Sequence, residues 1–462
     1  MGRHFVALMV VAAAVFSAAQ DQPNSSPAQT QNNGAEPAID DQRAPAPALL
    51  VGDASSLSFS TELERSNYLR GGISVGATYD DNAASSATNR IGDFSYSILP
   101  NIQLDQTRSR LHWTLGYLGG FTANQRLSER NQGSHNLNGA LQYRLSPHID
   151  LRLSDSFLDT TGFLQQFENG LGTPVTGPIN QPNQTLITPL AKNMNNTASA
   201  DVSYQFSADD VIGGGGTFYD SHFRDLPAGS GPLLDTSTRS ADVHYNHRFT
   251  ARNWTGLTYK FQRLAGSGQN ATLTHSLLLS HTIYLQQHMT LAFFAGPEYT
   301  ELETVTVTAN IAPPVISFAI VTNNEQQLSV SAGTSFGWQS ALTSIHLDAT
   351  RKVTDGGGVL GVVELNSFGG GIRRQLTKTT TVDLNAVYGR NRELGSIAAG
   401  NTPLTSASGG VGFEQRLAAN LVLRLGYGRD YQKGSTISPL GSINHNRGSI
   451  SISYNFTRPM GR

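Results

Sequence analysis

The segment Ser449–Phe456, SISISYNF, alternates small polar residues with apolar ones over its whole length. Successive side chains of a β-strand point to opposite faces, so this strand has one polar face and one apolar face. The same alternation recurs in segments such as Leu137–Leu145, Ala198–Phe206 and Leu421–Tyr427. These segments run for about ten residues, the length that a tilted strand needs to cross a bilayer.

Short and long connections alternate between these segments. The short ones lie near Pro147, Asp209, Arg252, Thr379 and Ala419, with less regular versions at 105–108, 286–289 and 339–342. The longest of the others runs from about Asp159 to Asn195. Short turns at one rim and long loops at the other are typical of bacterial outer-membrane barrels. The pattern predicts an all-β, transmembrane antiparallel up-and-down β-barrel of about 18 strands, within a range of about 16–20, with its turns and termini in the periplasm.

One segment complicates the strand count. Residues Val305–Val321, VTVTANIAPPVISFAIV, are rich in β-branched residues on both sides of a Pro-Pro pair. We interpret them as an extracellular hairpin that extends beyond the membrane. A hairpin that instead crossed the bilayer would add two strands.

The composition excludes several other classes of protein. Charged residues make up 14% of the chain, against roughly 25% in soluble domains, and hydrophobic residues make up only 38%, too few for a helical membrane protein. The net charge of −2 gives no indication of a nucleic-acid partner. The absence of cysteine excludes disulfides, thiolate metal sites and a cysteine nucleophile. A soluble β-helix or sandwich adhesin is the remaining alternative, and it would need repeats of fixed length or an apolar face turned inward.

The N-terminal region has the composition of an export signal. Residues 1–19 contain the apolar run Phe5–Phe16 followed by small residues, which predicts a secretory signal peptide rather than a membrane-spanning helix. Residues 20–67 are rich in Pro, Ala, Gln, Asn and Ser, which predicts a disordered periplasmic linker, with a lumenal plug as the alternative. The barrel is predicted over residues 68–456, and residues 457–462 form a short periplasmic tail.

The alternation also assigns side chains to the two faces of the barrel. We predict that Trp113, Trp254 and Trp338, each within a few residues of a short turn, form an aromatic girdle at the membrane interface. The predicted pore-lining residues are charged: Arg144, Arg152, Arg248, Lys260, Arg373, Arg424, Asp150, Asp201, Asp242, Asp348, Asp383 and Asp430. Such charges either form a constriction with a transverse field or pair with one another along the wall, and their equal numbers predict no ion preference.

The other polar groups lack the arrangement of a catalytic or metal site. His112, His244 and His346 are predicted to face the lumen on strands far apart, without the spacing of a zinc site. Asp80, Asp81 and Asn82 fit a solvated turn better than a calcium site, and Gly213–Gly216 lacks the Lys-Ser/Thr of a phosphate-binding loop. His222 with Asp220 and Asp225 shows no order of nucleophile, base and orienting group. We therefore predict no catalytic residues, no metal and no cofactor, and hence no enzyme.

Both ends of the barrel region resemble known outer-membrane proteins. The last strand, GSISISYNF, resembles their C-terminal strand signature, which implies that Tyr454 and Phe456 form an assembly signal read by the barrel-assembly machinery. Here six residues, TRPMGR, follow the aromatic residue that usually ends the chain. Gly71–Asn82, GGISVGATYDDN, resembles the opening strand of the β-barrel porins of the second type, some of which are encoded near exopolysaccharide loci.

The sequence therefore predicts a porin-like channel in the cell outer membrane for passive diffusion of small hydrophilic solutes. Its other predicted partners are outer-membrane lipid and lipopolysaccharide. An exopolysaccharide-export barrel or a structural, adhesin-type barrel is the alternative.

Overall fold

The computed structural model describes residues 67–86, 89–160, 183, 185–186, 192–224, 233–266, 271–286, 288–312, 315–394, 403–434 and 442–460. Its strands are β1 Asn67–Asp80, β2 Asp93–Thr107, β3 Leu111–Asn124, β4 Gln132–Ser146, β5 Ile149–Thr160, β6 Lys192–Gln205, β7 Asp210–Arg224, β8 Thr236–Thr250, β9 Asn253–Gly266, β10 Ala271–Gln286, β11 Met289–Ala312, β12 Val315–Gln339, β13 Thr343–Gly356, β14 Leu360–Gln375, β15 Thr380–Glu393, β16 Leu404–Ala418, β17 Leu421–Lys433 and β18 Ser442–Pro459. The predicted signal peptide and nearly all of the predicted linker lie outside these residues.

The 18 strands form one antiparallel sheet in which each strand pairs with its neighbours in the sequence. β1 pairs with both β2 and β18, so the sheet closes on itself as a barrel. The predicted fold and the strand number of 18 are confirmed. Between β3 and β4 lies a single-turn 3₁₀ helix, Ser128–Arg130. No helix in the described part of the chain is long and apolar enough to span a membrane.

The two rims of the barrel differ as predicted. At one rim, which we call the short-turn rim, the connections are as short as residues 147–148 and no longer than residues 376–379. At the other, the long-loop rim, the connections include residues 81–92 and 161–191. This asymmetry is that of bacterial outer-membrane barrels, in which the short turns are periplasmic.

The β11–β12 hairpin extends beyond the long-loop rim. Its strands pair with each other from Met289↔Trp338 up to Ala312↔Val315. Their other neighbours pair with them over a shorter distance, since β10 begins at Ala271, opposite Glu303, and β13 pairs with β12 only as far as Ala332. Residues Val305–Val321 therefore form the predicted projecting hairpin, and they add no strand to the barrel.

The outward face of the barrel is apolar. On β17 and β18, Leu425, Tyr427, Ile450 and Ile452 share this face and are exposed, whereas inward-facing Ser453 is 1% exposed. The same contrast holds around the sheet, where large exposed hydrophobic side chains alternate with polar inward ones. An exposed apolar band of this extent is an aggregation surface in water, and a closed barrel leaves no unpaired strand in lipid. The fold is therefore that of a transmembrane barrel.

The barrel ends slightly later than the sequence indicated. β18 continues to Pro459, which lies opposite Tyr68, so the first residues of the predicted tail still belong to the sheet. The reason is that β1 begins at Asn67, so its residues 68–70 pair with residues 457–459.

Two adjacent residues of β17 provide a test of the register. Leu423 lies opposite Ile452 on the outward face, and Val422 lies opposite Ser453 on the inward face. Leu423→Arg should lower the unfolding free energy because it places a charge in lipid, a cost of about 2–4 kcal/mol at the membrane midplane that falls toward the interfaces. Val422→Arg should cost much less, since its side chain enters the lumen. Urea titration of both variants in liposomes measures this, and equal destabilisation would contradict the register.

Candidate functional site

The inward face of the barrel carries the charged side chains. All twelve predicted wall charges lie on it: Arg144, Asp150, Arg152, Asp201, Asp242, Arg248, Lys260, Asp348, Arg373, Asp383, Arg424 and Asp430. Their orientation follows from the period of two, because each alternates with exposed apolar residues on the same strand. Strand geometry thus places these charges around one lumen.

Most of these charges face an opposite charge across a strand pair. The Arg144 Nε lies 3.5 Å from the Asp150 Oδ1 across β4 and β5. In the strand register, Arg152 lies opposite Asp201, Asp242 lies opposite Lys260, and Arg373 lies opposite Asp383. The wall is therefore an array of alternating charges without a large excess of either sign.

Sequence analysis missed several members of this array. The Arg424 Nη2 lies 3.0 Å from Glu414 Oε2, and Asp430 forms a buried ion pair with Arg447. Glu414 and Arg447 occupy inward positions on β16 and β18 that the alternation alone would have identified.

The half of the lumen next to the short-turn rim is open to water. Arg152 points inward and yet is exposed, and the Arg144 and Asp150 side chains keep about a third of their surface accessible. These side chains lie within four residues of the 147–148 turn, so solvent enters the lumen from its short-turn mouth.

In the other half, the end of the β13–β14 hairpin enters the lumen. We call Lys352–Leu365 the crossing hairpin. β13 leaves β12 after Arg351, since β12–β13 pairing stops at Ala332↔Arg351. At the tip, the Leu234 N–H donates to the Gly358 carbonyl over 2.8 Å, and Gly358 packs against the ring of Phe223. Phe223 belongs to β7, six places from β13 in the barrel order, and Leu234 lies just before β8, which is five places away, so the hairpin spans the barrel opening.

Glycines make this crossing sterically feasible. Gly357 and Gly358 have φ values of +60° and +81°, in the left-handed region that favours glycine. A side chain at Gly358 would also collide with Phe223. A side chain at either position would be strained by the positive φ, and at Gly358 it would also have no space.

A buried charge cluster holds the base of the crossing hairpin to the wall. The Val353 N–H donates to Glu298 Oε1 over 3.2 Å, and Ser276 and Ser329 donate to the same carboxylate at 3.4 and 3.5 Å. Lys352 and Lys260 are both close enough to Glu298 to interact with it electrostatically. Hydrogen bonds and opposite charges together stabilise a carboxylate that burial would otherwise destabilise.

Part of the β5–β6 connection lies in the same half of the lumen. The Asn183 Nδ2 donates to Asn391 Oδ1, and Asn391 Nδ2 donates to Thr185 Oγ1 over 3.1 Å, so this segment contacts the inner face of β15. The Asn183 N–H also donates to the Asp355 carboxylate of the crossing hairpin. Two segments from different walls thus meet inside the long-loop half and narrow it.

The predicted tryptophan girdle is wrong in one member. Trp113 and Trp338 lie on the outward face near the short-turn rim. Trp254 instead faces the lumen, is 3% exposed, and lies under Arg248, whose guanidinium carbon is 5.9 Å from its ring centroid. Its distance from a turn predicts an interfacial position, whereas its strand position places it on the side of Thr258 and Lys260.

The remaining predicted groups have structural partners. Tyr454 and Phe456 lie on the outward face of β18. His222 lies outward between Asp220 and Asp235, at 3.0 and 3.2 Å, while Asp225 lies outside the described residues. Asp80 accepts from the Asn82 N–H and contacts His445, and Asp81 accepts from Asn446.

The histidines predicted to face the lumen lie on separate strands, and the glycines of 213–216 lie beside larger side chains. His112, His244 and His346 lie on β3, β8 and β13, and the described residues contain no group of three or more side chains suited to a metal. In the glycine run, Gly213 leaves room for the His244 ring, and Gly215 lies beside the carboxylates of Asp201 and Asp242. The glycines therefore make space for charged and aromatic side chains of neighbouring strands.

Comparisons with known proteins give likenesses of fold. Neither a family model nor a curated protein matches the sequence. Among solved structures, the chain is similar to Pseudomonas aeruginosa OccK2 (OpdF), with 11% identity and a TM-score of 0.42 over 85% of this chain and 98% of that one. Two further similar structures are P. aeruginosa OpdK with vanillate, at 10% identity and a TM-score of 0.41, and a BenF-like porin from Pseudomonas fluorescens Pf-5, at 11% and 0.41, each over 84% of this chain and 99% of the other. At these values the similarity assigns neither a solute nor any residue role to this chain.

Proposed function

We propose that this barrel is an outer-membrane channel for passive diffusion of small hydrophilic solutes. The observation that carries the proposal is the solvent exposure of inward-facing Arg152, beside the partly exposed Arg144 and Asp150. A lumen filled by protein up to the short-turn rim would bury these charges at a large cost in solvation. A closed 18-stranded barrel is wide enough for an aqueous interior unless loops fill it.

The crossing hairpin supports a limit on solute size. It lies with the segment around Asn183 in the long-loop half, so a solute must pass beside both. This arrangement favours small solutes over a polymer, and hence diffusion over exopolysaccharide export. Paired opposite charges along the wall favour polar solutes of either sign.

A second candidate function is a structural or adhesin-type surface barrel. It is favoured by the β11–β12 hairpin, which extends past the long-loop rim with no other strand beside its end. Such a ribbon could contact other surface components. In this case the lumen would carry no current.

The deciding experiment is single-channel recording of the refolded mature protein in a planar bilayer. Discrete conductance steps, with liposome swelling by small sugars and none by large dextrans, are the expected result. A folded barrel that gives no conductance in the bilayer and no liposome swelling would overturn the channel proposal in favour of the structural one.

A further inference from the structure

A cluster of cations lies on the outward face near the long-loop rim. Arg390 on β15 and Arg429 and Lys433 on β17 are all exposed and share this face with the apolar band. Arg390 lies opposite Thr405 of β16, which in turn lies opposite Lys433, so the two cations occupy one row across three strands. We call Arg390, Arg429 and Lys433 the outward basic patch.

These cations have no acidic partner among the residues whose positions the structure gives. The nearby Glu364 is already shared by Arg351 and Arg392, at 3.2 and 2.8 Å, which itself leaves one positive charge in excess. On the other side of the patch, Asp81 accepts hydrogen bonds from both the backbone and the side chain of Asn446. The outward face of β13–β17 therefore carries a local excess of positive charge.

Two outward cations on β6 and β8, near the same rim, have partners. Lys192 lies 3.5 Å from Asp159, and Arg239 lies over the ring of Phe218 with 5.8 Å between the guanidinium carbon and the ring centroid. Four outward acidic residues lie on or beside β5–β8, namely Asp155, Asp159, Asp220 and Asp235. These outward acids thus lie on the β5–β8 arc, away from the outward basic patch.

Aromatic residues place the patch at the level of lipid headgroups. Tyr388 and Tyr431 lie in the next row, on either side of Ala407, and both are exposed to the outside. Tyrosines of membrane barrels concentrate at the boundary between hydrocarbon and headgroups. The residues of β16 beside these rings are small, with Ala407 between the rings and Gly409 one row further from the rim.

We propose that the outward basic patch binds the phosphorylated glucosamine headgroup of lipopolysaccharide in the outer leaflet. Guanidinium groups bind phosphate through paired hydrogen bonds, and the lysine adds a point charge. Arg429 and Lys433 are four residues apart, about 13 Å along the strand, so they reach different phosphates of one headgroup. The tyrosine row lies between Lys433 and Arg429, so the tyrosines then contact the sugar between the two phosphates. This inference rests on the proposed outer-membrane location and is independent of conduction.

The test compares two triple variants of the refolded mature protein. One is Arg390→Gln, Arg429→Gln and Lys433→Gln; the matched control is Lys192→Gln, Arg239→Gln and Arg263→Gln, which removes three outward cations near the same rim on β6, β8 and β9. Native mass spectrometry in detergent measures binding of purified lipopolysaccharide. At about fivefold per cation, the patch variant should bind on the order of 100-fold more weakly than wild type. The control should bind with less than a tenth of that loss.

Two further measurements separate the explanations. Enzymatically dephosphorylated lipopolysaccharide should bind wild type as weakly as the intact lipid binds the patch variant. Both variants should keep the heat-modifiable gel mobility of a folded barrel and wild-type conductance. Because lipid binding is measured separately from conductance, it tests this proposal even if the barrel does not conduct. Equal losses in the two variants, or equal binding of intact and dephosphorylated lipid, would overturn the proposal.

Discussion

Shortening the crossing hairpin should raise the single-channel conductance severalfold. Replacing residues 354–363 with Asn-Gly joins Val353 to Glu364, which already face each other in the β13–β14 register, by a two-residue turn. The change removes Asp355, Gly357 and Gly358, and with them the contacts to Asn183, Phe223 and Leu234. The long-loop half of the lumen loses the main obstacle that crosses it.

The β11–β12 hairpin provides a matched control for this deletion. Replacing residues 305–322 with Asn-Gly joins the register pair Thr304 and Asn323 in the same way. Because this ribbon extends beyond the rim, its removal should leave the conductance unchanged. Planar-bilayer recording and swelling assays with sugars of graded size measure both variants. Conductance that stays at the wild-type value in the 354–363 variant would show that the crossing hairpin does not limit the path.

Reversing three lumenal charges should shift the ion selectivity strongly toward cations at low salt. Arg248, Arg373 and Arg424 lie on the inner face of three strands, and each change to Glu alters the lumenal charge by two units. At 0.01 M salt the Debye length is about 30 Å, so their fields reach across the lumen. At 1 M salt it is about 3 Å, and the preference should largely vanish. Reversal potentials across a salt gradient measure the shift.

A neighbouring residue supplies the control for position. Arg374 lies next to Arg373 and, by strand alternation, on the opposite face. Arg374→Glu should therefore leave the reversal potential near the wild-type value, whereas Arg373→Glu alone should move it. A well-folded triple variant with the wild-type reversal potential would mean that these side chains do not face the conducting path.

The fold was predictable because the alternation of residues and the lengths of the connections indicate the same architecture. Alternation such as that of Leu421–Tyr427 fixes which side chains face lipid, and the alternation of short and long connections fixes the number of strands. The inward position of charges such as Arg373 and Asp383 follows from the same rule. Both features depend only on contacts between neighbouring strands, which a local pattern encodes.

The arrangement inside the lumen was not predictable in this way. Strand alternation gives the face of a residue but not what crosses the space in front of it, so the contact of Gly358 with Phe223 left no periodic signal. The sequence Asp355-Gly356-Gly357-Gly358 indicates a turn, but any external loop could contain it. Trp254 shows a related limit, because proximity to a turn says nothing about the face on which a side chain lies.

The pairing of β1 with β18 has a consequence for biogenesis. Every other strand pair joins sequence neighbours, but this one joins Tyr68 to Pro459, across nearly the whole chain. Its loop-closure entropy is the largest in the molecule, and contacts of such sequence separation form slowly. Until the final strand arrives, both edges of a long sheet remain unpaired and able to template aggregation. We therefore expect the two edges to need shielding until the last residues have been delivered.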